Sequence, residues 1–251
     1  MRNLRLALAF LTRIPLSPSE PIAFNAPAIG VWFPVAGLFV GGLVGGVYWL
    51  SAQLLPAAPS AVLAIASGVL VTGGFHEDGL ADTFDALGGG RDREAALRIF
   101  KDSRLGTYGV AALILSILLR VALLGSLEAT TGLFAVIVAH SLARGVTAAT
   151  MGFAAPAAAG LGTSLMSGFT RSHAIAAGAV GLAFGVLIVG LPAVIGCALA
   201  AVTAIALVRW ATGRMGGITG DVLGAIEQFG EVAVLAAVVA TVDQWNIPWW
   251  T

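Results

Sequence analysis

The chain predicts an all-α fold: a polytopic integral membrane helical bundle of about seven transmembrane helices, with six to eight as the range. An N-terminal amphipathic or half-inserted helix precedes it. Two observations predict this. Only 10% of the 251 residues are charged, against roughly 25% in soluble domains. The mean hydropathy is +0.95, and the apolar residues gather in stretches close to the roughly 20 residues that a spanning helix needs.

The elements follow in order. Residues 1–15 carry Arg2 and Arg5, an apolar run from Leu6 to Leu11, then Arg13 and Pro15. The run is too short for a secretory signal and has no small-residue cleavage pattern, so a helix lying on the membrane face is expected. Spans are predicted at about 29–55, 60–76, 107–126, 131–152, 174–190, 193–211 and 230–245. The second is expected to run on as a helix into the polar stretch that follows it. The fifth and sixth are separated only at Gly190-Leu191-Pro192. The closing Trp245-Asn246-Ile247-Pro248-Trp249-Trp250 reads as an aromatic anchor. Residues 1–251 form a single membrane-embedded domain. Cys197 is the only cysteine, which excludes an intrachain disulfide.

Arginine and lysine set the orientation. With the N-terminus inside, Arg2, Arg5, Arg13, Arg91, Arg93, Arg98, Lys101, Arg104, Arg144, Arg171, Arg209 and Arg214 fall on the cytoplasmic side. Arg120, late in the third span, is the misfit; snorkelling outward or pairing with Glu128 would accommodate it. The formal net charge is zero, so no nucleic-acid partner is expected.

Polar segments at about 73–109 and 212–231 converge on that one face. The first contains His76-Glu77-Asp78-Gly79-Leu80-Ala81-Asp82-Thr83-Phe84-Asp85. On a helix, Asp78, Asp82 and Asp85 fall within about 60° of arc. Three like charges there repel, and a divalent cation relieves the repulsion. Oxygen ligands suit Mg²⁺, which also takes phosphate oxygens. With three histidines and no thiolate pair, a structural zinc site is disfavoured. Glu77 reads as a solvated flank. Gly88-Gly89-Gly90 ends the helix, and Asp92 is placed to cap a short helix through Phe100. Lys101, Asp102, Ser103 and Arg104 suit a phosphate beside the metal. The second segment, Arg214-Met215-Gly216-Gly217-Ile218-Thr219-Gly220-Asp221, lacks the lysine of a P-loop. Its glycines let backbone amides approach an anion, and Asp221 is available to a cation or a ribose hydroxyl. Carboxylates, cations and a membrane together suggest phosphoryl or phosphonucleotidyl transfer.

Gly74 to Asp85, Lys101 to Gly109, Gly216 to Ala225 and Phe10-Leu11-Thr12-Arg13-Ile14-Pro15, in this order, resemble the motifs of the cobalamin synthase family, the adenosylcobinamide-GDP ribazoletransferases. Glu77 and Ala86 depart from its usual pattern. The resemblance implies a Mg²⁺-dependent enzyme of a prokaryotic inner membrane, its active site facing the cytoplasm. It joins adenosylcobinamide-GDP to α-ribazole, or to its 5′-phosphate, and releases GMP. It also implies roles. Asp78, Asp82, Asp85 and Asp221 are the expected metal ligands. Lys101, Ser103, Arg104, Arg214, Gly217 and Thr219 are expected at substrate phosphates. His76, Asp82 and Asp102 are the candidates for catalysis, His76 or Asp102 as the base. A homo-oligomer and docking of other corrinoid-pathway enzymes are compatible with this. The rivals are a metal-dependent transferase for CDP-alcohols or prenyl diphosphates and, in a different class, a cation-coupled transporter, which predicts acidic residues near mid-bilayer.

Overall fold

The computed structural model describes residues 2–16, 25–100, 102 and 104–242. Lys101, Ser103 and the C-terminal tryptophan run lie outside the described residues. Twelve helices and no strand are found among those described. Helix α1 (Arg2–Leu11) is amphipathic and buries Ala7 and Leu11. Helices α2 (Ala26–Gly30) and α3 (Phe33–Ser51) share the first predicted span. Next come α4 (Ala57–Thr72), α5 (Phe75–Gly89) and the short α6 (Arg93–Ile99). The chain continues through α7 (Thr107–Gly125), α8 (Ala129–Met151), the short α9 (Leu161–Met166), α10 (Arg171–Val189), α11 (Leu191–Met215) and α12 (Gly220–Thr241).

Six of these helices are long and apolar enough to cross a membrane, and α4 with α5 counts as a seventh if the bent pair is one span. Two boundaries differ from the sequence expectation. The second span does not run straight into the acidic motif: α4 and α5 meet at 90°. Gly73 and Gly74 both adopt φ near +71°, a left-handed conformation that glycine takes without a Cβ clash. The last span starts at Gly220 rather than near residue 230. The polar residues from Asp221 to Glu231 therefore belong to a spanning helix.

Helices α8 and α12 form the centre, and most of their residues are buried. Close glycine contacts of α3 with α8 (Gly37 on His140, Gly45 on Leu133), and of α8 with α10 (Gly145 on Gly181), set neighbours antiparallel. Such small-residue contacts let helix backbones approach where lipid offers no hydrophobic drive. The outer faces of α7, α10 and α11 expose Ile114, Leu115, Leu118, Ile175, Leu187, Val202 and Ile205, as helices bathed in lipid do. At one face the starts of α3, α7, α10 and α12 meet the ends of α5, α8 and α11. The acidic motif opens there.

Candidate active site

Helix α5 crosses α12 at two glycines. A Cβ on Gly79 would stand 3.0 Å from the Asp221 Cα and 3.3 Å from the Gly224 Cα. The absence of side chains brings the two backbones into contact and sets Asp221 beside the α5 motif. The charges of Asp78 and Asp221 act on Asp82, and that of Asp78 acts on Asp221. Hard carboxylate oxygens from two helices, repelling one another, suit Mg²⁺ by their chemistry. Their ligand atoms are not drawn to within 4.8 Å of one another; among the described residues only His140, Glu227 and Glu231 are.

Asp85 has a different occupation from the metal ligation expected of it. Its Oδ2 accepts from the Gly106 N–H at 2.7 Å and its Oδ1 from the Gly109 N–H at 2.8 Å. Both oxygens thus satisfy orphan amides at the start of α7, and Asp85 ties the second motif to the first. Asp92 caps α6 as expected, accepting from the Ala95 N–H at 2.7 Å.

Asp102, expected as a possible base, is bound by Arg104 through bonds of 2.6 to 3.2 Å. Hydrogen bonds from the Arg104 side chain, then from its backbone, hold the Asp102 carboxyl at about 2. A carboxylate that acidic is a poor proton acceptor near neutrality. Arg214, expected at a phosphate, donates its Nη1 to the Gly90 carbonyl at 2.7 Å and joins the end of α11 to the end of α5. Gly217 packs on the backbone of Ala155 and Pro156 beside the short bridge between Pro156 and Ile218. Thr219 accepts from the Val222 N–H and caps α12.

Two cavities flank α5. One, of about 290 Å³, is lined by Phe10, Phe75, His76, Arg144, Thr219 and Asp221 among others. The second, of about 650 Å³, includes Arg13, Gly74, Glu77 and Asp78. His76 and Asp221 thus open on the first and Asp78 on the second.

Beneath the aspartates lies a group of residues that the motif analysis passed over. Arg120 donates to Glu231 at 3.0 Å and to Glu77 at 3.2 Å. Arg144 pairs with Glu227 and, at 3.3 Å, with Glu231. His140 Nδ1 also contacts Glu231. Gln228 donates to Glu227 at 3.1 Å, and His76 Nδ1 lies 3.6 Å from Glu227. Helical rise puts Glu227, Glu231, His140 and Arg144 roughly 10–16 Å below the site face, and Arg120 roughly 20 Å. Three sequence expectations are corrected here. Glu77 is no solvated flank; it is buried against Arg120. Arg120 neither snorkels nor meets Glu128. Arg144 is 1% exposed inside α8 and does not belong to the basic loops. The signal available in the sequence was the isolated charge within apolar runs, with Glu227 and Glu231 four apart, since ionisable residues in a span are kept in pairs.

A family profile described as Cobalamin-5-phosphate synthase matches residues 3–239. The chain is 45% identical to an adenosylcobinamide-GDP ribazoletransferase of Bradyrhizobium diazoefficiens, covering 95% of this chain and 93% of that one. Relatives of the same name are 40% identical in Mesorhizobium japonicum, over 93% and 91% of the two chains, and 40% identical in Shewanella pealeana, over 90% of each. No solved structure matches the chain.

Proposed function

This chain belongs to the cobalamin-5-phosphate synthase family, and from that premise we propose that it joins adenosylcobinamide-GDP to α-ribazole, or to its 5′-phosphate, as the last assembly step of cobalamin synthesis. A ribazole hydroxyl forms a bond to the cobinamide-side phosphorus. The bond from that phosphorus to the bridging oxygen breaks, and GMP leaves with the electron pair. The hydroxyl proton passes to a base.

One observation supports the assignment of the site: the contact of Gly79 with Asp221 and Gly224 sets Asp221 of α12 beside the Asp78 and Asp82 helix, with Asp221 on the cavity of about 290 Å³ and Asp78 on that of about 650 Å³. We assign these three to Mg²⁺, which supplies positive charge to the pyrophosphate when bound. Asp85 orients the start of α7 toward them. Lys101, Ser103 and Arg104 follow α6 on the same segment; Lys101 and Arg104 neutralise phosphate oxygens, Arg104 exchanging Asp102 for substrate, and the Ser103 hydroxyl donates to one. His76, at the cavity wall near Glu227, is the proposed base. The basic residues of the site face support placing it on the cytoplasmic side of an inner membrane.

The test is turnover by the purified full chain in detergent, supplied with adenosylcobinamide-GDP and α-ribazole, with GMP and corrinoid product both quantified. Stoichiometric release that stops on chelation, returns with Mg²⁺ and is lost in Asp78→Asn supports the proposal. Product formation indifferent to chelators refutes the metal assignment, and absence of any product refutes the reaction.

A further inference from the structure

Away from the aspartates, α8, α10 and α11 enclose a groove of about 560 Å³ on the outer side of the bundle. Small residues open it: Ala149, Gly178, Ala179, Ala201 and Ala204 line it. It runs down α11 from Arg209 to Cys197, about 18 Å at helical rise. That is a little over half of a hydrocarbon core of roughly 30 Å, so the groove is one leaflet deep. The Thr150 hydroxyl on its wall is already donated to the Val146 carbonyl at 2.9 Å. Below Arg209 a ligand therefore meets alkyl groups and the Cys197 thiol. The mouth is charged. Arg209 stands about 27 Å along α11 from Leu191, close to the thickness of the core, and Arg171 opens α10 at that level. Arg171 lays its guanidinium over the Phe153 ring, 5.8 Å from the centroid, and Phe153 lines the groove together with Arg209. Both arginines are exposed, and neither forms an ion pair among the described residues. The outer face of α7 differs on both counts. It projects Ile114, Leu115 and Leu118, and Arg104, just before it, is paired with Asp102.

An apolar slot one leaflet deep, with two uncompensated cations at headgroup level, matches a lipid that is alkyl below and anionic above. Basic pockets between spanning helices bind acidic head groups in this way, and an arginine–phosphate contact is the stronger for being charge-assisted. A choline head group brings its own ammonium to the same two arginines, whereas a glycerol head group leaves the phosphate charge to them. We infer that the groove between α10 and α11 is a binding site for an anionic glycerophospholipid of the leaflet on the site-face side, one acyl chain lying against α8 and the phosphate between Arg171 and Arg209. The seat also braces the aspartate face. Ala154 lines the groove, and the residues that follow, Ala155 and Ala157, exchange backbone hydrogen bonds of 2.9 Å with Ile218, just before Asp221.

The test is thermal unfolding of the purified full chain, washed free of lipid in detergent and titrated with dioleoyl phosphatidylglycerol or dioleoyl phosphatidylcholine. Phosphatidylglycerol is expected to raise the midpoint at about five- to thirtyfold lower concentration, as one or two arginines at the membrane surface add to its binding. The double variant Arg171→Gln with Arg209→Gln removes both charges from exposed positions, and the preference is expected to fall to about twofold or less. Ala201→Phe fills the groove, and the rise with phosphatidylglycerol is expected to disappear. The two titrations of the unaltered chain decide the matter even if a variant does not fold. Equal response to the two lipids overturns the inference, and so does a preference that survives in the double variant. A chain that is a dimer in detergent and indifferent to both lipids overturns it as well, since the groove is then covered by a second copy.

Discussion

Two groups of ionisable residues sit one above the other in this bundle, and they are built on opposite plans. At the face, Asp78, Asp82 and Asp221 carry charge of one sign and repel one another. Below them, Glu77, Glu227 and Glu231 meet Arg120, Arg144 and His140 in mutual pairs. Pairing is what low dielectric demands of a buried charge. The lower group is largely completed by the protein, whereas the upper group is completed only by something brought to it. Residue type alone does not separate the two, since both are rich in carboxylates. The sign of the neighbours does.

Breaking a pair in the lower group is expected to have the largest effect. Arg120→Ala strands Glu77 without its cation and removes one of the two arginines from Glu231, and loss of one partner of a buried pair costs about 3–5 kcal/mol. Thermal unfolding in detergent is expected to show a large loss of stability; an unchanged midpoint would contradict the structural role. The upper group predicts the reverse pattern. Asp82→Asn relieves repulsion, so stability stays level or rises, while GMP release falls about 10²–10³-fold, as when an electrostatic stabiliser of a transition state is removed. A folded Asp82→Asn protein with near-native turnover would place the cation elsewhere.

Asp85 sharpens the boundary between the groups. Its oxygens bind the amides of Gly106 and Gly109, so Asp85→Ala is expected to cost about 0.5–2 kcal/mol, in the range of a lost helix cap. The apparent affinity for Mg²⁺, read from activity titrations, is expected to change little. A large shift in that titration would restore Asp85 to the metal. The smallest effect belongs to the exposed Asp102–Arg104 pair. The folded Asp102 carboxyl is depressed to about 2, so whatever it contributes is fully present above the ordinary carboxylate value and is lost only as pH falls toward the folded one. Melting profiles of the native chain and Asp102→Asn should run parallel from about pH 5 to 9 and converge only in acid. Divergence near neutrality would show that the pair does not hold in solution.

Much of this was legible beforehand. Helices α3, α7, α8, α10 and α11 fall close to the apolar runs that predicted them, because a spanning helix must satisfy its backbone internally and cover itself with apolar side chains. The Asp92 cap and the glycine stop of α5 were legible for similar local reasons. The start of α12 was not, because Asp221, Glu227 and Glu231 lower the hydropathy of a stretch that the bundle buries. Asp85 was grouped with Asp78 and Asp82 because spacing along one helix counts residues on a face. It does not reveal which neighbouring helix supplies amides to one of them.

The amino-acid sequence by itself determined the membrane setting, the helical class and the order of the polar motifs, since these follow from composition, period and local capping. Only the tertiary structure decided the 90° turn at Gly73-Gly74, the contact of Gly79 with α12, and which charges end paired and which end facing their own kind. The last two of these depend on residues far apart along the chain, as in Gly79 with Gly224 and Arg120 with Glu231. The energy of a buried charge is set by what packing places beside it, not by its neighbours along the chain.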